Sequence, residues 1–223
     1  MKRYLPFVIV VVVGIATLGS GTILYRAKRP QLQNIPESQS ILAKSDASAH
    51  IRGNPDAPVT LEEFADFQCP PCGQFAGFVE ELLKEYDSRL RVVFRNFPLP
   101  AHEHAREAAL AAEAAGFQGK FWEMHDTLYR EQEAWSKAPN TRELFVSYAG
   151  TIGLNVDQFR KDMDSDKVRE RIDSDHALAD FLGVKATPTL YINNRPVDPK
   201  DKNPEGVRAA INAALEEKSK NGA

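Results

Sequence analysis

The spacing of apolar residues changes period several times along the chain, and each change marks an element. Val59-Thr-Leu-Glu-Glu-Phe64 follows Pro58, is rich in β-branched and apolar residues, and runs into Asp66-Phe-Gln-Cys69 ahead of a Pro-Pro break. That pattern predicts a strand whose C-terminal end delivers a cysteine. Beyond Pro70 and Pro71, the residues Phe75, Phe78, Val79, Leu82, Leu83 and Tyr86 recur at i, i+3, i+4, i+7, i+8 and i+11. They trace one face of a helix, with Cys72 in its first turn. A second strand is expected at residues 90–94, closed by Phe97-Pro-Leu-Pro100.

The pattern then turns Ala- and Glu-rich with helical spacing, so residues 103–183 read as several helices. Breaks fall at residues 116–120, 136–140 and 151–155, with Asn140, Thr141 and Asp157 as candidate caps beside them. Residues 186–192 form a short β-rich run, and Asn193-Asn194 ahead of Arg195-Pro-Val197 predicts a hairpin. A last helix has Asn203 as N-cap and Pro204 at its first position, and carries Val207, Ala210, Ile211, Ala214 and Leu215 on one face. The polar residues 219–223 are expected to fray. No internal repeat is visible.

The first thirty residues behave differently. From Tyr4 to Tyr25 there is no charge, and Phe7 to Val13 is a solid apolar run. At about 1.5 Å per residue this stretch is long enough to cross a bilayer core, so residues 1–29 are read as a signal anchor, a transmembrane segment. A cleaved signal peptide is the competing reading: small residues at 16–21 offer a site, though without a clean Ala-x-Ala. Basic residues flank both ends, so the positive-inside rule does not orient the segment. Residues 30–50 are rich in Gln, Ser, Pro and Ala, with Leu32, Ile35, Ile41 and Leu42 as the larger apolar side chains, the composition of a flexible tether.

Charge narrows the function. Five basic residues and no acid lie in residues 1–29, which leaves 23 basic against 31 acidic residues in the remainder, a formal charge of −8. Such a domain repels a phosphate backbone, so nucleic acid is set aside as a partner. The acidic run Asp162, Asp164, Asp166 and Glu170 is read as a solvated helix face. With 223 residues, 43% of them hydrophobic, one globular domain fits.

Cysteine usage carries the chemistry. The chain has two cysteines, both in Cys69-Pro70-Pro71-Cys72 at the predicted strand-to-helix junction. There the helix N-terminus stabilises a thiolate on the first sulfur, so Cys69 is expected to be the nucleophile and Cys72 the resolving thiol that attacks a mixed disulfide. Pro70 and Pro71 lack N–H groups; they stiffen the active-site turn but withdraw two donors from the sulfur. A purely structural cross-link over so short a loop would stabilise weakly. A metal site would have to borrow His102, His104 or His125, which are read as surface or helix-packing residues, so no metal and no cofactor is expected. Phe121 and Trp122 are read as core aromatics.

Three segments, Glu63-Phe-Ala-Asp-Phe-Gln-Cys-Pro-Pro-Cys72, Phe121-Trp-Glu-Met-His-Asp-Thr-Leu128 and Ala186-Thr-Pro-Thr-Leu-Tyr-Ile-Asn193, together resemble the DsbA-like branch of the thioredoxin superfamily. The resemblance covers roughly residues 50–218. It implies a thioredoxin-like α/β fold over residues 51–218, with an inserted helical subdomain at about 101–183, preceded by the N-terminal transmembrane helix. It also implies a cis bond between Thr187 and Pro188, in a loop that faces Cys69 and binds an extended substrate segment. An X-Pro bond is the one place where cis is accessible. Glu63 matches the family's buried acid, a carboxyl able to exchange protons with Cys72. Neighbouring Glu62 competes for that position, because adjacent strand residues point to opposite faces. The sequence departs from the best-known periplasmic oxidases at Pro70-Pro71 and at Thr187, which leaves the direction of electron flow open.

The expectation is therefore a membrane-anchored, extracytoplasmic protein thiol:disulfide oxidoreductase, in the periplasm or at the cell exterior, or secreted if the signal is cleaved. It would pass a Cys69–Cys72 disulfide to exported proteins with free thiols and be recharged by a membrane quinone-linked thiol oxidase. A reductase or isomerase of the same fold is the first alternative. A copper-handling or peptide-binding module without turnover is the second.

Overall fold

The computed structural model describes residues 50–221. The anchor expected at 1–29 and the tether up to residue 49 lie outside the described residues, as do residues 222 and 223. Among the described residues no helix is long and apolar enough to cross a membrane.

Five strands form one sheet: β1 (His50–Gly53), β2 (Val59–Ala65), β3 (Leu90–Asn96), β4 (Thr189–Ile192) and β5 (Arg195–Pro196), in the order β1-β3-β2-β4-β5. β2 and β3 run parallel and every other pair is antiparallel. Helix α1 (Pro70–Tyr86) makes the crossover between the parallel pair. The helical block follows as α2 (Ala105–Gly116), α3 (Phe121–Arg130), α4 (Gln132–Trp135), α5 (Thr141–Thr151), α6 (Val156–Met163) and α7 (Asp166–Leu182). The chain ends in α8 (Pro204–Asn221). This is a thioredoxin-like α/β fold with helices inserted between β3 and β4.

Alternation along β2 divides the core. Val59 and Leu61 point to the side where Phe75, Val79 and Leu82 of α1 and Val207 and Ile211 of α8 bury their faces. Phe64 points the other way, onto Leu178 and Ala179 of α7. The inserted helices have a core of their own around α2, whose buried alanines 108, 109, 111, 112, 114 and 115 let α3, α5, α6 and α7 pack closely against it. That core continues through Phe94 and Phe67 to Cys69 and Cys72, so the insertion and the active-site turn share one packed interior.

Several boundaries differ from the sequence expectation. His50, assigned to the tether, opens β1, an edge strand paired antiparallel with β3. Its four residues include a His, an Arg and a Gly, and carry no apolar period; tertiary contacts hold it. Arg52 pairs with Glu80 and Asp126 and lies over the Trp122 ring, and Trp122 Nε1 donates to Ile51 O at 3.0 Å. Gly53 has φ +95, and a Cβ there would meet Leu90 O at 2.7 Å, so glycine is required. Asn140 caps α5 by accepting from Glu143 N, with Thr141 inside the helix. Asn155, not Asp157, caps α6, and Ser165 caps α7 at a break with no Gly or Pro to announce it. β3 extends two residues past the expected end, through buried Arg95 and Asn96.

The hairpin after β4 has φ +47 at Asn193 and +64 at Asn194, the left-handed pair that a type I′ turn needs. Asn203 accepts from Gly206 N at 2.9 Å as the cap of α8. The helix continues to Asn221, through most of the stretch expected to fray. Lys218 and Lys220 in its last turn complement the negative end of the helix dipole.

Candidate active site

Strand β2 ends at Ala65, and a short turn through Asp66, Phe67 and Gln68 leads to Cys69 at the N-cap of α1. Cys69 has φ −75 and ψ 117, and its carbonyl accepts from Cys72 N at 3.1 Å and from Gly73 N at 3.2 Å. Pro70 and Pro71 fill the first helical positions, where a missing N–H costs no hydrogen bond and a fixed φ suits the helix. Both cysteines are free thiols; Cys69 is 5% exposed and Cys72 fully buried.

The loop before β4 closes the site from the other side. The Thr187–Pro188 bond is cis, and Cys69 Sγ lies 3.6 Å from Thr187 O. The Thr187 hydroxyl is buried and makes no hydrogen bond elsewhere. Lys202 Nζ donates to Pro188 O at 2.7 Å, and Thr189 Oγ1 to Ala186 O at 2.7 Å, which fixes the loop.

These contacts separate the two thiols. The Cys72 side chain donates to the Cys69 sulfur, and with help from Thr187 it brings the Cys69 pKa down to about 6 against the opposing cost of burial. Burial pushes the Cys72 thiol far up, and its interaction with Cys69 adds to the effect. At neutral pH Cys69 is therefore largely a thiolate while Cys72 keeps its proton. Glu63 lies in the interior on the same side of β2; burial raises it to about 8, with the Cys69 charge adding, and its Oε1 has no hydrogen-bond partner. Glu62 leaves by the opposite face, where Arg95 Nε donates to it at 2.7 Å.

A thiolate held at a strand-to-helix turn beside a cis-proline loop is the arrangement on which comparison with known proteins turns. A family model described as "Thioredoxin" matches residues 45–213 of the chain. The chain belongs to the thioredoxin superfamily, in its DsbA-like branch. Among solved structures, a thioredoxin-like oxidoreductase from Silicibacter pomeroyi is 29% identical, with a TM-score of 0.64 over 76% of this chain and 93% of that one. The oxidised form of BdbD from Bacillus subtilis has the same fold at 24% identity, with a TM-score of 0.68 over 76% of this chain and 94% of that one. A Na(+)/H(+) antiporter NhaA 1 from Mycolicibacterium gilvum is 40% identical over 151 residues, 66% of this chain. The chain spans 23% of the length of that curated relative.

The DsbA-like domain surrounds its cysteines with side chains that sequence reasoning passed over. Asp66, three residues before Cys69, is buried; it accepts from Gln68 N at 2.7 Å, from Leu99 N at 2.8 Å and from His102 Nδ1 at 2.7 Å. It ties the active-site turn to the loop after β3, so His102 is a partner of that turn rather than a plain surface residue. His104 N donates to Gln68 Oε1 at 2.7 Å. His125 is buried among Phe67, Phe94, Trp122 and Tyr129, where desolvation lowers its pKa. Gln132 Nε2 donates to Phe67 O at 2.6 Å and to Cys69 O at 3.0 Å. Nothing local in the sequence marks Gln132, which stands 63 residues from Cys69. Asp66 had a signal, an Asp just after a predicted strand, where its side chain can accept from the backbone N–H two residues on as an Asx turn.

Among the described residues no group of three or more His, Cys, Asp or Glu side chains is arranged to hold a metal ion.

Proposed function

We propose that the domain works as a disulfide donor: it passes a Cys69–Cys72 disulfide to thiols of exported proteins, outside the cytoplasm. In the oxidised form a substrate thiolate attacks Cys69 Sγ and breaks the S–S bond. Cys72 departs and takes up a proton, with Glu63, raised to about 8, as the nearby acid. A second substrate thiolate then attacks the substrate sulfur of the mixed disulfide and releases Cys69 as a thiolate. Two electrons pass from substrate to enzyme, and a membrane quinone-linked thiol oxidase would take them on.

The observation that carries this direction is the Cys69 pKa of about 6. A leaving thiolate of low pKa departs readily, and a stabilised reduced form makes the disulfide more oxidising. The exposed Pro70 and Pro71, beside the cis-proline loop, leave the approach to the sulfur open to an extended segment. Placement outside the cytoplasm is supported by the uncharged run from Tyr4 to Tyr25 and by a chain whose two cysteines both lie in the redox pair.

The test is oxidation of a reduced, unfolded protein substrate by the oxidised full chain. Wild type should transfer its disulfide stoichiometrically, Cys69→Ser should be inactive, and Cys72→Ser, offered a disulfide-bonded substrate instead, should attack that disulfide through Cys69 and accumulate a mixed disulfide. Full transfer by Cys69→Ser would overturn the assignment.

A further inference from the structure

Tyr129 and Gln132 of the inserted helices both reach the active-site turn, Tyr129 by donating to Asp66 O at 3.5 Å and Gln132 by closer contacts. Gln132, the first residue of α4, gives its amide nitrogen to two carbonyls at once, those of Phe67 and Cys69. Carbonyls only accept, so this pair dictates which end of the amide faces them and uses both of its hydrogens. Cys69 O already accepts from Cys72 N and Gly73 N, so three donors converge on the carbonyl of the nucleophile's own residue. The donor's base is firm despite the four-residue length of α4. Trp135, at the other end of that helix, is completely buried, packs edge-on against Phe145 and donates its indole N–H to Leu128 O at 2.7 Å.

A second observation comes from α1. A Cβ on Gly73 would lie 2.9 Å from Gln132 Oε1. Gly73 sits inside a helix, where alanine is ordinarily preferred. The space its missing side chain leaves is the space the Gln132 amide occupies.

We propose that Gln132 is a positioning residue for Cys69. It clamps the turn between β2 and α1 so that the sulfur stays beside Cys72 and Thr187, and it places the positive end of one N–H dipole on the carbonyl of the nucleophile's own residue and of the other on Phe67 O, two residues before it, which favours the thiolate. The helical insertion thereby tunes the reactivity of the cysteine pair through the Gln132 amide. This rests on the dithiol-exchange reading above and adds the residue that tunes it.

The experiment follows the ultraviolet thiolate absorbance of the reduced full chain against pH, and its rate of attack on a small aromatic disulfide near the Cys69 pKa. Gln132→Ala should raise the Cys69 pKa and slow the attack roughly fivefold, about the factor one net hydrogen bond supplies. Gln132→Glu, which offers the two carbonyls only acceptors, should shift both further. Gly73→Ala crowds the amide while improving helix propensity, so it should move the pKa and rate in the same direction with the melting temperature held or raised. A purely structural contact would not give that combination. If Gln132→Ala and Gly73→Ala both left pKa and rate at the wild-type values, the clamp would be refuted. Absence of any exchange in the wild-type chain would instead refute the dithiol reading beneath it.

Discussion

Glu63 shows how much of this site is decided by one side chain's surroundings. In the unfolded chain its carboxyl ionises near the ordinary 4.5, and in the folded chain only at about 8. Between those values the unfolded state has released a proton that the native state keeps, so stability falls as pH rises through the window and levels off above it. Glu63→Gln has no charge to bury. Its stability should exceed that of the reduced wild type by an amount that grows from pH 4.5 to about 8, reaching roughly 2–4 kcal/mol. Urea unfolding of both proteins at a series of pH values would show it; a difference that stays constant across the window would mean that Glu63 is not held neutral by burial. At this scale the sequence was informative where chemistry is local. Cys69, Cys72, Pro70 and Pro71 are adjacent, and Glu63 follows from strand alternation plus the family resemblance. Asp66, His102 and Gln132 were not recognised, because their importance comes from a hydrogen bond to a backbone atom or a residue far along the chain.

Elements were legible where an apolar period is long, and illegible where packing replaces it. The faces of α1 and α8 were read residue by residue, since Val79, Leu82, Val207 and Ile211 bury the predicted stripe. β1 has no such stripe; Arg52, Trp122 and the β3 backbone define it instead. Helix starts turned on which of several polar residues reaches back to an open N–H. At α6, Asn155 Oδ1 accepts from Gln158 N at 2.9 Å, and Asp157 is already inside the first turn. Asn155→Ala should therefore lower stability by about 1 kcal/mol, whereas Asp157→Ala, which loses only a favourable charge near the helix N-terminus, should cost about 0.5 kcal/mol or less. Thermal or denaturant unfolding of the two variants distinguishes the caps; equal losses would return the cap to Asp157.

Across the whole molecule, a buried polar knot joins the inserted helices to the sheet. Glu113 of α2 accepts from Asn96 Nδ2 at 2.7 Å, sits 2.9 Å from His50 Nε2, and has Arg171 Nε 2.8 Å away, close enough to pair though not aligned as a hydrogen bond. Asp175 of α7 accepts from Asn96 N at 2.9 Å, and burial raises its pKa to about 7. Nothing in the sequence pattern marks Arg95, Asn96 and Glu113 as buried partners, because only the assembled fold brings them together. Removing one member leaves the others buried and undersatisfied, so Glu113→Ala should cost roughly 2–4 kcal/mol; a loss under about 0.5 kcal/mol would show that the knot is not holding the two parts together. The same architecture brings the helical core up to the cysteines, which makes the redox poise a property of the whole domain. On the proposed function, this poise favours giving disulfides away. Equilibrating the full chain with glutathione buffers and following the Cys69–Cys72 redox state gives the reduction potential directly. A value toward the roughly −120 mV oxidising extreme of such proteins is predicted, whereas one near the roughly −270 mV of thioredoxin would contradict disulfide donation and make the domain a reductant.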